Sequence, residues 1–280
     1  MIRRFKQNRL GLLGLGLSVV YILVALIGPI LITKDPTAIE PGARFQGPSP
    51  EHLFGTDRYG RDVFARTIHG ARISLRVAVI VTLASTIAGV LLGLTAGFYG
   101  GKVDEAIMRL VDVMFAFPSI LLALVIIAIL GPGLDKAILA LSIAFVPPMV
   151  RVTRGSALSV REEEYVLAAI SYGESSFGIM RRDMLPNLLS AVIVQATITF
   201  AYSIIAEAGL SYLALSASPP EPTWGAVISE GQSTIELAPW VTVFPSLAIL
   251  VTILGLTFLG IGLRDALDPK TDTDQKGGAI

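Results

Sequence analysis

An all-α integral membrane protein with six transmembrane helices is what the sequence predicts, on three observations. Apolar residues make up 53% of the 280-residue chain and charged residues 16%, whereas a soluble domain carries about a quarter charged residues. Long charge-free runs recur along the chain, and the longest reach the roughly 20 residues needed to cross about 30 Å of hydrocarbon. These runs are solid Leu, Ile, Val, Ala and Gly rather than alternating ten-residue segments, which argues against a membrane barrel. A mean hydropathy of +0.69 excludes a disordered chain and a simple soluble enzyme. Lys+Arg 22 balance Asp+Glu 22, so no basic or acidic field exists to attract nucleic acid or a polyanion. With Cys 0 there is no disulfide framework, thiolate nucleophile or cysteine-bound metal.

The spans follow in order as residues 10–33, 77–101, 113–134, 137–150, 184–206 and 237–263. The fourth is short, but Lys136 and Arg151 at its ends can extend their stems to the interfaces. The first is longer than a signal-peptide core and has no small-residue cleavage site ahead of Lys34, so it is expected to remain as an anchor. Arg3, Arg4, Lys6 and Arg9 precede it with no acid among them, which places the N-terminus in the cytoplasm. Six spans return the C-terminus there. Residues 34–76 and 214–236 then lie outside, and 102–112 and 151–186 inside.

Segment 214–236 agrees, with Glu221, Glu230 and Glu236 and no basic residue. Segment 34–76 fits less simply: it sets Lys34, Arg44, Arg58, Arg61, Arg66, Arg72 and Arg76 against Asp35, Glu40, Glu51, Asp57 and Asp62. His52 and His69 also lie here without metal-site spacing, and they read as surface or packing residues.

Within the spans, Ser85, Gly89, Gly93, Gly97 and Gly101 recur every fourth residue. That spacing puts small residues on one helix face and predicts a close helix contact. Pro118, the Pro147-Pro148 pair and Pro245 each remove an amide donor inside a span and can kink it. Glu207 is the one acid in an otherwise apolar stretch. Its two readings are a lining residue of a translocation path and, preferred, a polar contact near the outer end of the fifth helix.

No catalytic constellation accompanies these features. Gly100-Gly101-Lys102-Val103 lacks the first glycine and the hydroxyl of a phosphate loop. Gly11, Gly14 and Gly16 lie in a membrane run rather than after a strand, so a dinucleotide site fails too.

Residues 151–187 form the most informative stretch. Helix formers run from Glu162 to Ser171, Gly173 can end that helix in a left-handed conformation, Ser175 or Ser176 can cap a second helix, and Pro186 follows it. A helix, glycine turn and helix on a membrane surface make a knob suited to a cytoplasmic partner.

At these residues the chain resembles the permease subunits of ATP-binding-cassette importers. Their cytoplasmic loop has the pattern EAA, three residues, G, nine residues, I, one residue, LP; Ala168, Ala169, Gly173, Leu185 and Pro186 fall on it, with Leu167 and Asp183 departing from it. FGTDRYGRDVFARTIHGARISL at 54–75, GFYGGKVDEAIMRLVDVMFAFPSILLAL at 97–124, EYVLAA at 164–169, LPN at 185–187, EAGLSYLAL at 207–215 and LRDALDP at 263–269 are similar to the peptide/nickel importer group and its C-type dipeptide/oligopeptide permease. Ala214, Ser216 and Ile261 depart from residues common there.

The resemblance implies a type I ABC importer permease fold in a multi-pass cell-membrane protein. Residues 1–70 would be the N-terminal tail, first helix and extracytoplasmic loop, 71–264 the permease domain, and 265–280 a cytoplasmic tail. It implies four kinds of surroundings: a homologous second permease, two cytoplasmic ATPases that bind the ATP and Mg, an extracytoplasmic solute-binding protein, and the lipid bilayer. Glu164, Ala168, Ala169, Gly173, Leu185 and Pro186 would couple to the ATPases, and no cofactor would be bound by this chain. Dipeptides, oligopeptides, glutathione-like peptides and nickel chelates remain open as substrates. The competing readings are an ion-coupled secondary transporter working alone and a membrane scaffold without transport.

Overall fold

The computed structural model describes residues 5–217 and 220–267. Arg3, Arg4, Ser218, the 268–280 part of the expected tail and Pro269 of the LRDALDP segment lie outside the described residues.

Helix α1, Arg9–Leu31, starts where the Asn8 side chain accepts the Gly11 N–H at 2.9 Å. Helix α2, Val63–Tyr99, starts where Asp62 accepts the Ala65 N–H at 2.9 Å. Both are side-chain N-caps that satisfy amides the helix itself leaves free. At 37 residues α2 is about 55 Å long, so residues 63–76, expected in a loop, form its first turns. It also runs without a break through residue 70.

The third span departs most from expectation. Instead of one helix over 113–134 there are two, α3 Gly101–Phe115 and α4 Ser119–Leu130, bent by 88°. Pro118 has no amide to give and keeps Phe117 out of helical geometry. α4 alone is about 18 Å long, too short to cross the bilayer. Ion pairs then fix α3 to α6: Arg154 reaches both Asp104 oxygens at 2.5 Å and Arg151 lies 2.7 Å from Asp112.

Helices α5, Leu134–Ala144, and α6, Val146–Arg161, meet at Phe145 and form one span of 28 residues, twice the length of the expected 137–150 run. Pro147 and Pro148 sit in the first turn of α6, where a missing amide costs nothing. Helix α7, Glu164–Ser171, is followed by a turn at Ser176–Gly178 and a π-helical stretch at Ile179–Met184. That stretch continues directly into α8, Leu185–Tyr212. Pro186 therefore begins α8 instead of following a separate helix. Helix α9 is Trp224–Gln232 and α10 is Trp240–Leu267, the latter passing through Pro245 unbroken.

α2 lies at the centre, packed on α1, α6 and α8. The glycine spacing does make a seam, and its partner is α6 of the same chain. A Cβ on Gly89, Gly93 or Gly97 would lie 2.5 Å from Met149, 2.6 Å from the Val150 carbonyl and 2.6 Å from Ala157. Gly101 is not part of it, since it opens α3 at φ 51° with no neighbour within 4 Å of a Cβ. A second close crossing joins α1 to α10, where Gly11 meets Gly262 and Gly255 would press on Leu17 at 2.7 Å.

Three of the seven basic residues of segment 34–76 are held by acids. Arg66, 1% exposed, donates to Asp57 at 2.6 Å and to Glu230 of α9 at 2.8 Å. Arg61 pairs with the same two acids. Lys34 lies 3.0 Å from Asp62, and the buried His52 contacts Asp62 at 2.9 Å, a packing role. Burial alone would raise the Asp62 carboxyl, but the Ala65 amide, His52 and Lys34 outweigh it and hold it below the usual carboxylate range.

Candidate functional site

The loop between α6 and α8 is built as a rigid knob. Glu164 in the first turn of α7 favours the positive end of the helix dipole. At the other end Gly173 has φ 77°. Its N–H donates to the Ile170 carbonyl at 3.1 Å, and the Glu174 N–H to that of Ala169 at 3.1 Å. These paired bonds are the Schellman closure, which calls for a left-handed residue at that position. The Ser175 hydroxyl then accepts the Gly178 N–H at 3.1 Å and starts the next turn.

One face of α7 is anchored. Val166 is buried and Ala169 half-buried, within a cluster that includes Phe98, Ala157, Ile179, Met184 and Leu188. The Asn187 amide donates to the Tyr165 hydroxyl at 3.0 Å and to the Asp183 carbonyl at 2.6 Å, so the start of α8 holds α7 in place. Desolvation, with the charges of Glu163 and Asp183, pushes the Tyr165 phenol above its ordinary value.

The other face is bare. Leu167, Ala168 and Ile170 are exposed, Tyr172 is 91% exposed and Phe177 69%, beside the exposed acids Glu162, Glu163 and Glu164. Exposed apolar side chains are thus gathered on one side of the loop.

The expected coupling residues are thus brought together but divided in role. Glu164, Ala168 and Pro186 face outward, Gly173 makes the turn, and Ala169 and Leu185 turn toward the interior cluster. Tyr172 and Phe177 on the bare face, and Tyr165 with Asn187 on the anchored one, were not singled out from sequence. The three-residue spacing of Val166 and Ala169 was the available signal for the anchored face.

Glu207 is fully buried and accepts hydroxyls from Ser211 at 2.5 Å, Ser74 at 3.2 Å and Ser216 at 3.4 Å. It joins α8, α2 and the turn after α8, and it borders none of the described cavities. Among the described residues no group of three or more His, Cys, Asp or Glu is placed to hold a metal ion.

Residues 89–273 match the model of the family described as binding-protein-dependent transport system inner membrane component. Residues 1–48 match the N-terminal TM domain of oligopeptide transport permease C. The dipeptide transport system permease protein of Alkalihalophilus pseudofirmus is 44% identical over 268 residues, 96% of this chain and 88% of that one. Its namesake from Bacillus subtilis is 39% identical over 269 residues, 96% and 84% of the two chains. A chain of the MetNI methionine ABC transporter, solved in inward-facing conformations, matches with a TM-score of 0.59 at 18% identity. The match covers 72% of this chain and 96% of that one, and it speaks to the fold alone. Nothing in these relationships supports a secondary transporter working alone. A helical membrane bundle with a projecting knob, matched over most of its length by importer permeases, belongs to the family of binding-protein-dependent transport system inner membrane components, the permease subunits of ABC importers.

Proposed function

We propose that this permease carries di- or oligopeptides inward as half of the membrane pore, beside a homologous second permease, two cytoplasmic ATPases and an extracytoplasmic solute-binding protein. The names of the peptide permeases it resembles support the substrate class. In this reading both termini are cytoplasmic, and residues 71–264 form the pore-forming unit. The ATPases hold ATP and Mg, and no step of hydrolysis uses a residue of this chain. Their closure pushes on α7, and because α7 is bonded to α8 and joined to α6, the push tilts those spans and alternates access.

The observation that carries the proposal is the bare face of α7, with Ala168 at its middle and Tyr172 and Phe177 beyond the Gly173 turn. Overpacking a complementary contact costs about 1–3 kcal/mol, equivalent to about 5–150-fold in binding. Ala168→Glu, at an exposed site, should therefore leave the permease in the membrane while lowering uptake and co-purified ATPase at least about fivefold. Gly173→Val should do the same, since a Cβ there meets nothing within 4 Å and the cost is that of the left-handed backbone alone. Uptake, membrane level and ATPase recovery are measured together. Normal uptake in both variants removes the docking role from α7.

A further inference from the structure

Two grooves lie between the spans. One, about 380 Å³, lies between α1, α2 and α10. Its Tyr21, Thr67, Thr252 and Trp224 polar atoms all bond to backbone carbonyls, and no cation borders it. The other, about 350 Å³, lies between α8 and α10 and is walled by Ile198, Tyr202, Ile205, Leu256 and Gly260. It ends at Arg264, and a second cavity continues past that residue to Ser190 and Gln195.

Arg264 is exposed and makes no hydrogen bond or ion pair among the described residues. The neighbouring Asp265 is engaged elsewhere, accepting the Asn8 amide at 2.7 Å. α8 and α10 run antiparallel, since the start of α8 at Ser190 and Ala191 lines the second cavity with Arg264 and Leu267 at the end of α10, and a Cβ on Gly260 would meet Thr197 at 3.4 Å. The Arg264 end is therefore the end that carries α7. A guanidinium at the mouth of an apolar trough is expensive in a bilayer unless an anion meets it.

We propose that this groove binds an anionic phospholipid of the cytoplasmic leaflet, its phosphate on Arg264 and one acyl chain along Ile198, Tyr202 and Ile205. The leaflet assignment rests on the orientation given under Proposed function. Three features fit this occupant. Guanidinium donors match a phosphate in a two-point geometry. The cytoplasmic leaflet is the one enriched in anionic lipid, and basic pockets between spans on that side suit such headgroups. The wall hydroxyl of Thr197 is turned onto the Ile193 carbonyl at 2.9 Å, and Ile198, Ile205, Ile253, Leu256 and Ile261 give an acyl chain an apolar surface.

The test uses the whole transporter, reconstituted in phosphatidylcholine vesicles with and without phosphatidylglycerol, re-extracted in mild detergent and weighed by native mass spectrometry. Wild type should retain phosphatidylglycerol in preference to phosphatidylcholine. Arg264→Gln should lower that retention about tenfold, the scale of a lost charge-assisted pair, and Arg264→Lys should restore part of it. Gly260→Leu, which keeps Arg264 but fills the trough, should lower retention of both lipids. Ala248→Leu in the other groove should change neither.

Equal phosphatidylglycerol retention by wild type and Arg264→Gln overturns the proposal; if Arg264→Gln fails to assemble, unchanged retention by Gly260→Leu does so. A single Thr257→Cys that cross-links to the second permease overturns it as well, by giving the groove to a protein. Retention is read by mass and not by uptake, so a transporter that lacks ATPase partners or peptide uptake would sink the functional reading and leave this measurement standing.

Discussion

Gly173 and Ala214 hold the same position at the ends of α7 and α8, and only one of them has the residue that position favours. Ala214 has φ 58°. Its N–H donates to the Ser211 carbonyl at 3.0 Å and the Leu215 N–H to that of Leu210 at 2.9 Å, the same closure as at Gly173. A left-handed conformation costs an L-residue about 1–2 kcal/mol, while glycine returns about 0.4–1 kcal/mol of that as unfolded-chain entropy. Ala214→Gly should therefore stabilise the permease by about 0.5–1 kcal/mol and Ala214→Val destabilise it. Thermal unfolding of the detergent-solubilised complex reads both, and a lower midpoint for Ala214→Gly would refute the account. The Gly173 turn was legible because glycine announces a positive φ. Alanine does not, so the α8 closure is hidden in the sequence. Glu207 was half legible: its isolation among apolar residues shows in the sequence, but Ser74, which donates to it, is 133 residues away.

Among the helices, the α2–α6 seam was readable from spacing and the α1–α10 crossing was not. Gly89, Gly93 and Gly97 mark a face at every fourth residue, whereas Gly11, Gly14, Gly255 and Gly262 follow no single period and meet only when the chain's two ends come together. Pro118 likewise announced a break in the third span, but neither the 88° size of the turn nor the ion pairs of Arg151 and Arg154 to α3 are encoded in spacing. Because the seam lies within one chain, a large residue there should damage the permease before any assembly. A Cβ on Gly93 already sits 2.6 Å from a backbone carbonyl of α6, and backbone has little room to yield. Gly93→Leu is expected to cost about 3 kcal/mol or more, the upper range for overpacking. Leu91→Ile, at a position 62% exposed, should stay within about 0.5 kcal/mol. Detergent stability and membrane level of the two variants would refute the seam if they came out equal.

At the scale of the whole molecule, charge placement and chain topology constrain each other. Seven basic residues between 34 and 76 strain the positive-inside rule if each is counted as free. Arg61, Arg66 and Lys34 are not free, being held by Asp57, Glu230 and Asp62. Sequence alone hid this because Glu230 lies 164 residues from Arg66 and comes to it only when α9 folds back over the start of α2. Burying that cluster also requires the 34–62 segment and α9 to share one side of the membrane, and α7 to lie on the other. The chain has no cysteine, so single cysteines report without background. An impermeant maleimide applied to intact cells should label Ser233→Cys, exposed just after α9, and should reach Ser171→Cys on α7 only after the membrane is opened. Labelling of Ser171→Cys from outside would invert the bundle, place the bare face of α7 away from any cytoplasmic ATPase, and remove the basis for coupling through it.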